Sequence, residues 1–347
     1  MIRKVCKNSE CHLGKSFTTF DISENKCPYC KNELELGNPD FNLDDNSLSE
    51  YESYTNNNFS NSISEKNNTE DFSKYFTFLG NEYFNRANLD KSLLYFQKAL
   101  NILITNNKNQ EAEIATLENN LGNVHLELGQ PTIAIDHFKK CLEIQERVYG
   151  KNNVFISWTN NNIANAYFSN MNYENAIFHY REAIKILTLT EKYDFDSLIA
   201  LNISIGNALL KNSEFSQSLH HFLDALNIAK NVLDENNPSL GQIYSLLGVN
   251  YESMGDLENA FLCYQKELEL ALPIFEDVDL AAIYWNLGEC CQKMKKYEKA
   301  ITFYLEGFKK SNHKASEFPF NIASCYEAIN KPKEALEYHL IASKIST

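Results

Sequence analysis

The chain has 347 residues, of which 44% are hydrophobic and 22% charged, with 12 glycines, 7 prolines and a net charge of −14. This composition excludes collagen-like and fully disordered chains, and the scarcity of turn-forming residues argues against an all-β protein. The negative charge works against sequence-independent binding of nucleic acid or an anionic membrane. The N-terminus MIRKVCKNSEC lacks a signal-peptide pattern, and no segment approaches the ~20 apolar residues of a membrane span. We therefore expect an intracellular, cytoplasmic protein.

Four of the nine cysteines lie within the first 30 residues, and their spacing has the form of a four-thiolate zinc site. The candidate ligands are Cys6, Cys11, Cys27 and Cys30. With all four positions filled by protein, the expected Zn²⁺ is structural rather than catalytic. Alternating Phe17, Thr19 and Ile22, then Leu34 and Leu36, indicate short strands around the cysteines.

Residues 1–36 thus resemble a zinc ribbon, and so small a unit would depend on its metal to fold. Three alternatives stay open here: His12 as a ligand, a CxxC redox pair, and contact of the ribbon with nucleic acid. Six basic and five acidic residues leave this head almost neutral, which gives nucleic-acid binding little support.

Residues 37–71 form an acidic segment that carries eight acidic residues and one lysine. Such a segment buries too little apolar surface to offset its chain entropy, so we predict a disordered acidic linker. The alternative is a short helix around Leu48 to Tyr54.

Residues 72–347 contain a repeat that is visible as an apolar residue followed by a small one. The small residues are separated by intervals of 42, 42, 42, 42, 40 and 35 residues, and they are Gly80, Gly122, Ala164, Gly206, Gly248, Gly288 and Ala323. Another small residue follows twelve positions later, and four further on stands a ring: Phe96, Phe138, Tyr180, Phe222, Tyr264, Tyr304 and, as an exception, His339. The apolar spacing within each unit is helical, which predicts two helices joined by a short turn. The first helices should be centred near residues 80, 122, 164, 206, 248, 288 and 323.

The segments NNLGNVHLELGQPTIAIDHFKKCLEI and NNIANAYFSNMNYENAIFHYREAIKI resemble the tetratricopeptide repeat. The 42-residue period is longer than the usual ~34 residues, and it is similar to the repeats of kinesin light chains and G-protein-signalling modulators. The resemblance implies an all-α superhelical solenoid of about seven antiparallel helix pairs. It also implies an interaction module whose first helices line the concave face.

Asparagine recurs beside the signature small residues, at Asn81, Asn120, Asn123, Asn162, Asn165 and Asn207. Members three positions apart share a helix face, and a carboxamide can both donate to a carbonyl and accept from an amide. The resemblance implies that such asparagines hold the backbone of an extended peptide. The alternative is that they reflect the asparagine-rich composition of the whole chain.

One helical turn beyond these asparagines, the residues change character along the repeats. Apolar residues such as Phe84 and Phe168 occupy the first four units, whereas the later units carry polar residues there, including Glu252, and Glu289 stands nearby. This pattern predicts an extended protein or peptide ligand with spaced apolar side chains and basic residues at one end.

No catalytic motif accompanies these features, and His220-His221 gives no reason to expect a ligand pair. The remaining cysteines, Cys141, Cys263, Cys290, Cys291 and Cys325, are expected to be core residues. We therefore expect a non-catalytic interaction scaffold or adaptor. The alternative function is a regulatory subunit whose zinc ribbon contacts nucleic acid or a transcription assembly.

Overall fold

The computed structural model describes residues 4–6, 34–36, 48–49, 52–53, 56, 69–105, 110–189, 194–273 and 277–345. The chain divides into two compact units, Met1–Val148 and Tyr149–Thr347. Cys11, Cys27, Cys30 and His12 lie outside the described residues.

The described residues contain two short strands and fourteen helices. The strands are β1 (Lys4–Cys6) and β2 (Leu34–Leu36). The helices of the first unit are α1 (Thr69–Asn85), α2 (Leu89–Thr105), α3 (Glu111–Glu127) and α4 (Pro131–Tyr149), the last of which ends at the boundary. Those of the second unit are α5 (Val154–Ser169), α6 (Tyr173–Leu189), α7 (Phe195–Lys211), α8 (Phe215–Val232), α9 (Pro238–Ser253), α10 (Leu257–Ala271), α11 (Asp277–Lys293), α12 (Tyr297–Lys310), α13 (Glu317–Ala328) and α14 (Pro332–Ile345).

The fourteen helices form seven pairs, as the repeat predicts. Each predicted centre lies within a first helix; the first six lie in its C-terminal half, and residue 323 lies at the middle of α13. A three-residue turn joins the members of each pair, which makes them antiparallel neighbours. Within each unit, successive pairs also pack on one another, as α2 does on α3 in the first unit and α8 on α9 in the second.

Close approach within each pair depends on the small residue and the ring. A Cβ atom added to Gly122 would lie 2.5 Å from the Phe138 ring, and one added to Gly206 would lie 2.5 Å from Phe222. Both rings are fully buried. The glycine therefore provides the space that the ring of the second helix fills, as predicted.

The second small residue also packs inside the pair. Where it is serine, its hydroxyl donates to the backbone carbonyl of the signature glycine: Ser92 to Gly80 at 2.9 Å and Ser218 to Gly206 at 2.8 Å. Both serines are fully buried, and these bonds satisfy their hydroxyl groups.

The segment predicted to be a disordered linker contains residues that are helical and packed. Leu48, Glu52 and Asn56 have helical backbone. The side chain of Leu48 is only 2% exposed and belongs to the hydrophobic core of the first helix pair. At these residues the short-helix alternative describes the segment better than disorder does, because the neighbouring repeat supplies the apolar surface that the segment lacks.

The two strands pair antiparallel, with Cys6 opposite Leu34. The strand expected at Leu34–Leu36 is present, and its partner at Lys4–Cys6 was not anticipated.

Candidate functional site

The predicted asparagines lie on the first helices of their pairs. In the first unit, Asn81 is on α1, and Asn120 and Asn123 are on α3. The Nδ2 group of Asn120 donates a hydrogen bond of 3.4 Å to Oδ1 of Asn81. This contact joins two asparagines from successive repeats, and both residues remain at least partly exposed.

In the second unit, Asn162 and Asn165 lie on α5, and Asn207 lies on α7. The Oδ1 atom of Asn165 accepts a 2.6 Å hydrogen bond from the Tyr180 hydroxyl. Burial raises the pKa of Tyr180 to about 12, so its hydroxyl stays protonated and acts as the donor. The contact fixes the orientation of the Asn165 amide from within the repeat.

The polar residues of the later repeats are bound to the ring of the second helix. The Tyr264 hydroxyl donates to Glu252 at 3.0 Å, the Tyr304 hydroxyl donates to Gln292 at 2.8 Å, and His339 Nε2 lies 3.1 Å from Glu327. Earlier repeats with a phenylalanine ring have an apolar residue at the same position, as in Phe96 with Phe84, Phe138 with Leu126 and Phe222 with Leu210. In these six repeats the change from apolar to polar follows the ring at the core. The third repeat is the exception, since Tyr180 has the apolar Phe168 at this position and donates to Asn165 instead.

The predicted acidic end is partly neutralised. Lys293 contacts the carboxylate of Glu252 at 2.5 Å and that of Glu289 at 3.0 Å. The pKa of Lys293 is raised, because the hydrogen bonds and charges of the two carboxylates outweigh burial, which alone would lower it. Lys293 was not predicted as part of this surface, although its position on the same helix, four residues after Glu289, indicates such a contact.

The apolar residues predicted to contact a ligand are half-buried. Phe84 belongs to the periphery of the core of the first pair. Phe168 packs edge-on against Tyr173 with ring centroids 5.4 Å apart. Both rings keep part of their surface exposed.

A row of histidines on second helices was not anticipated. Each accepts or donates a hydrogen bond with a buried polar residue of the preceding first helix: His137 with Glu118 at 2.6 Å, His179 with Asn160 at 2.8 Å and His221 with Asn202 at 3.0 Å. The signal was their spacing of 42 residues. These bonds satisfy polar groups within the pair, so we assign them a structural role. His220, by contrast, is exposed.

The cysteines of the repeats behave as core residues. The side chains of Cys141, Cys290, Cys291 and Cys325 are buried, and that of Cys263 is half-buried at the edge of the core. Burial raises the pKa of Cys325 to about 11 and that of Cys290 to about 12, which disfavours the reactive thiolate.

Neither a metal cluster nor a membrane-spanning helix is found within the ranges that the structure describes. No group of three or more histidine, cysteine, aspartate or glutamate residues there could hold a metal ion. No helix there has the length and apolar character needed to cross a membrane. Of the predicted zinc ligands, Cys6 lies in β1, and the other three are outside the described ranges.

Comparison with solved structures shows the fold. BtubC (BKLC) from P. vanneervenii is 14% identical with a TM-score of 0.55, over 66% of this chain and 92% of that one. A putative kinesin light chain with nearly identical TPR-like repeats from Podosopora anserina is 14% identical with a TM-score of 0.53, over 59% and 96%. Aspartyl phosphate phosphatase F from Bacillus subtilis is 16% identical with a TM-score of 0.55, over 83% and 74%.

Comparison with protein families gives the same result, although no curated protein matches the chain. Models of the tetratricopeptide repeat match residues 113–188, 196–272 and 281–309. These matches together cover just over half of the chain. The chain belongs to the tetratricopeptide repeat family.

Proposed function

We propose that the repeats bind an extended segment of a protein partner along the first helices, without catalysing a reaction. The observation that supports this most directly is the hydrogen bond between Asn120 and Asn81. Oδ1 of Asn81 accepts the hydrogen bond from Asn120. The Nδ2 group of Asn81 therefore remains as a donor, and Oδ1 of Asn120 remains as an acceptor. Such a pair suits the carbonyl and amide groups of an extended peptide backbone.

Asn165 supports the same proposal in the second unit. Its Oδ1 atom already accepts from Tyr180, so its Nδ2 group is the part available to a ligand carbonyl. We assign Asn123, Asn162 and Asn207 to this surface because of their positions on the same helices.

A segment bound to the first unit would place an apolar side chain against Phe84, and a segment bound to the second unit would place one against Phe168. Both rings are partly exposed. A basic ligand residue near Glu252 and Glu289 would have to share these carboxylates with Lys293. We therefore propose apolar side chains as the main determinant of specificity and give basic residues a minor part.

A displayed library of random dodecapeptides, selected on the full-length protein, would test this function. The selected peptides should carry spaced apolar residues. Asn120→Ala should weaken binding in fluorescence anisotropy by about 2–10-fold, the value of one hydrogen bond. Asn101→Ala, an exposed asparagine on the second helix α2, is the matched control and should bind as the wild type does. Equal affinity of the two variants would overturn the assignment of the surface.

We also propose that Cys6, Cys11, Cys27 and Cys30 hold a structural Zn²⁺. Cys6 lies opposite Leu34 in the antiparallel strand pair, and Leu34 follows Cys30 by four residues. Four thiolates match the preference of zinc for sulfur ligands. Elemental analysis of purified protein should find one zinc per chain, and Cys27→Ser should reduce its retention after dialysis against a chelator. Full retention of zinc by this variant would refute the ligand set.

A further inference from the structure

The first helix pair presents a surface of stacked aromatic rings and lysines, which we name the aromatic–lysine face. It consists of Phe76, Tyr83, Lys91, Tyr95 and Lys98. The Tyr95 ring stacks on Phe76 with centroids 5.7 Å apart and on Tyr83 at 5.7 Å. The Lys91 ammonium lies 4.7 Å from the Tyr83 centroid, and that of Lys98 lies 5.0 Å from the Tyr95 centroid. The face thus combines a flat apolar surface with two positive charges.

Three residues of the preceding acidic segment contact this face, and we name them the capping residues: Leu48, Glu52 and Asn56. They are spaced by four on helical backbone, so they share one helix side. Leu48 is buried with the core of the first pair. The other two capping residues supply the polar contacts.

Glu52 is the centre of these contacts. Its Oε2 atom accepts hydrogen bonds from the Tyr83 hydroxyl and, at 2.8 Å, from Lys91. Its Oε1 atom accepts from the Tyr95 hydroxyl at 2.5 Å. Burial alone would raise the pKa of Glu52, but the hydrogen bonds from Lys91, Tyr83 and Tyr95 outweigh it and hold the pKa below its usual value. The carboxylate is therefore bound as an anion.

Asn56 completes the set. Its Nδ2 group donates to the Tyr95 hydroxyl at 3.1 Å, and its Oδ1 atom accepts from Lys98 at 2.8 Å. Tyr95, which is 1% exposed, therefore both donates to Glu52 and accepts from Asn56. A buried hydroxyl with both functions satisfied is typical of a specific interface.

The position of the capping residues in the chain matches the repeat. Asn56 lies 42 residues before Lys98 of α2, which is the interval between successive repeats. In the next repeat, the counterparts of Tyr83 and Tyr95 are His125 and His137, which also stack, with centroids 5.2 Å apart. The first helix of that repeat, α3, packs against the preceding second helix, α2. In sequence register, the capping residues thus correspond to Asp90, Leu94 and Lys98 on the second helix α2.

We propose that the aromatic–lysine face is a docking site for an acidic helical segment with an apolar residue, a glutamate and an asparagine at positions i, i+4 and i+8. The chain occupies this site with its own capping residues, which act as the second helix of an incomplete repeat and close this end of the array. Terminal repeats need such closure, because their stacking surface would otherwise face solvent. The inference is independent of the peptide ligand proposed above.

One consequence concerns the N-terminal head. If the acidic segment is docked at Leu48, only residues 37–47 connect the head to the array. A chain of that length spans at most about 40 Å when fully extended. The head is therefore confined near the first helix pair, and it cannot explore the larger volume that a free connection up to α1 would allow.

Hydrogen exchange of the full-length protein, followed by mass spectrometry on peptides that cover residues 48–56, tests the docking. We compare wild type, Glu52→Lys, Lys91→Glu and the double variant, with Ser53→Ala as the control because Ser53 is exposed on the same segment. Wild type and Ser53→Ala should protect these amides, and each charge reversal should reduce protection about tenfold or more, since charged hydrogen bonds are lost. The double variant should recover part of the protection. Unchanged protection in α2 reports that the first pair remains folded.

Two results would overturn the proposal. One is wild-type exchange at residues 48–56 as fast as in an unstructured peptide. The other is a Glu52→Lys variant as protected as Ser53→Ala. Light scattering at two concentrations decides the source of the segment: protection in a monomer supports docking within one chain, whereas protection found only in a dimer assigns the segment to a second copy and refutes closure by the chain itself.

Discussion

The match between the ring of the second helix and the residue four positions after the signature small residue yields a quantitative prediction. Tyr264 is 1% exposed, and its hydroxyl donates to Glu252. In the second and fourth repeats, which have phenylalanine at the ring position, leucine occupies the place of Glu252, as Leu126 and Leu210 do. Replacing both residues of the polar pair by Phe and Leu should therefore recreate an arrangement that the fold already uses.

The single variants should differ in cost. Glu252→Leu leaves the buried Tyr264 hydroxyl without its acceptor, which costs about 1–3 kcal/mol. Tyr264→Phe removes the hydroxyl and costs about 0.5–1.5 kcal/mol. The double variant should lie within about 1 kcal/mol of wild type, because no polar group is then left unpaired. Loss of the Lys293 contact is common to both variants that lack Glu252, so it cancels from the coupling energy between the two sites.

Denaturant unfolding of the four proteins measures this coupling, and hydrogen exchange in α9 and α10 assigns it to the fifth repeat, because repeat arrays need not unfold in one step. Glu258→Leu is the matched control: its side chain is 84% exposed and contacts only Lys296, at 3.6 Å, among the described residues. The two residues are not coupled if the loss of unfolding free energy in the double variant equals the sum of the losses in the two single variants to within about 0.5 kcal/mol. That result would refute the prediction.

Three further predictions follow from burial. Burial raises the pKa of Glu267 from 4.5 to about 7. Between these two pH values the folded state holds a proton that the unfolded state releases, so the stability of the protein falls as the pH rises. Glu267→Gln should therefore be more stable than wild type in denaturant unfolding at pH 8. For His221, burial and the charge of a neighbouring arginine lower the pKa from 6.5. As the pH drops below 6.5, the unfolded state takes up a proton before the folded state does, so the stability of the protein falls. In melting curves at pH 5.5 and 7.5, His221→Gln should lose less stability at the lower pH than wild type does. Finally, Gly122→Ala should be less stable than Gly241→Ala by about 1–3 kcal/mol. The new Cβ lies 2.5 Å from Phe138 at position 122, whereas at position 241 it lies no closer than 3.8 Å to a neighbour, and both variants gain the same helix propensity. Equal stability of the two variants would contradict the close packing of glycine and ring.

The repeat fold was predictable because its determinants are local and recur. A small residue and a ring sixteen positions later are enough to define one helix pair, and seven copies give the same result. The positions of the asparagines on the first helices followed from the same register. Their hydrogen bonds did not, because the orientation of an amide depends on partners such as Tyr180, which belongs to the following helix.

The predicted ligand surface shows that the residues of one helix cannot be interpreted without the residues that pack against them. Glu252 was interpreted as part of an acidic surface, yet its carboxylate accepts a hydrogen bond from Tyr264 and contacts Lys293 of the next repeat. The sequence contains a sign of this hydrogen bond, because the residue twelve positions before the ring is polar in each of the last three repeats, whose rings are Tyr264, Tyr304 and His339. A polar residue facing a ligand surface should first be tested against the hydroxyl groups buried beneath it.

The acidic segment was predicted from its composition to be a disordered linker, yet its described residues Leu48, Glu52 and Asn56 are helical. Few apolar residues and many charges predict that a segment cannot fold by itself. Leu48 and Glu52 need no core of their own, because the first helix pair provides a buried apolar site and two tyrosine hydroxyls for them. Neither residue resembles its counterpart one repeat later, where Asp90 and Leu94 stand, so self-comparison could not reveal the register. The terminal stacking surface of a repeat array is therefore the place where a polar segment is best tested for order, because that surface is left incomplete by the repeat itself.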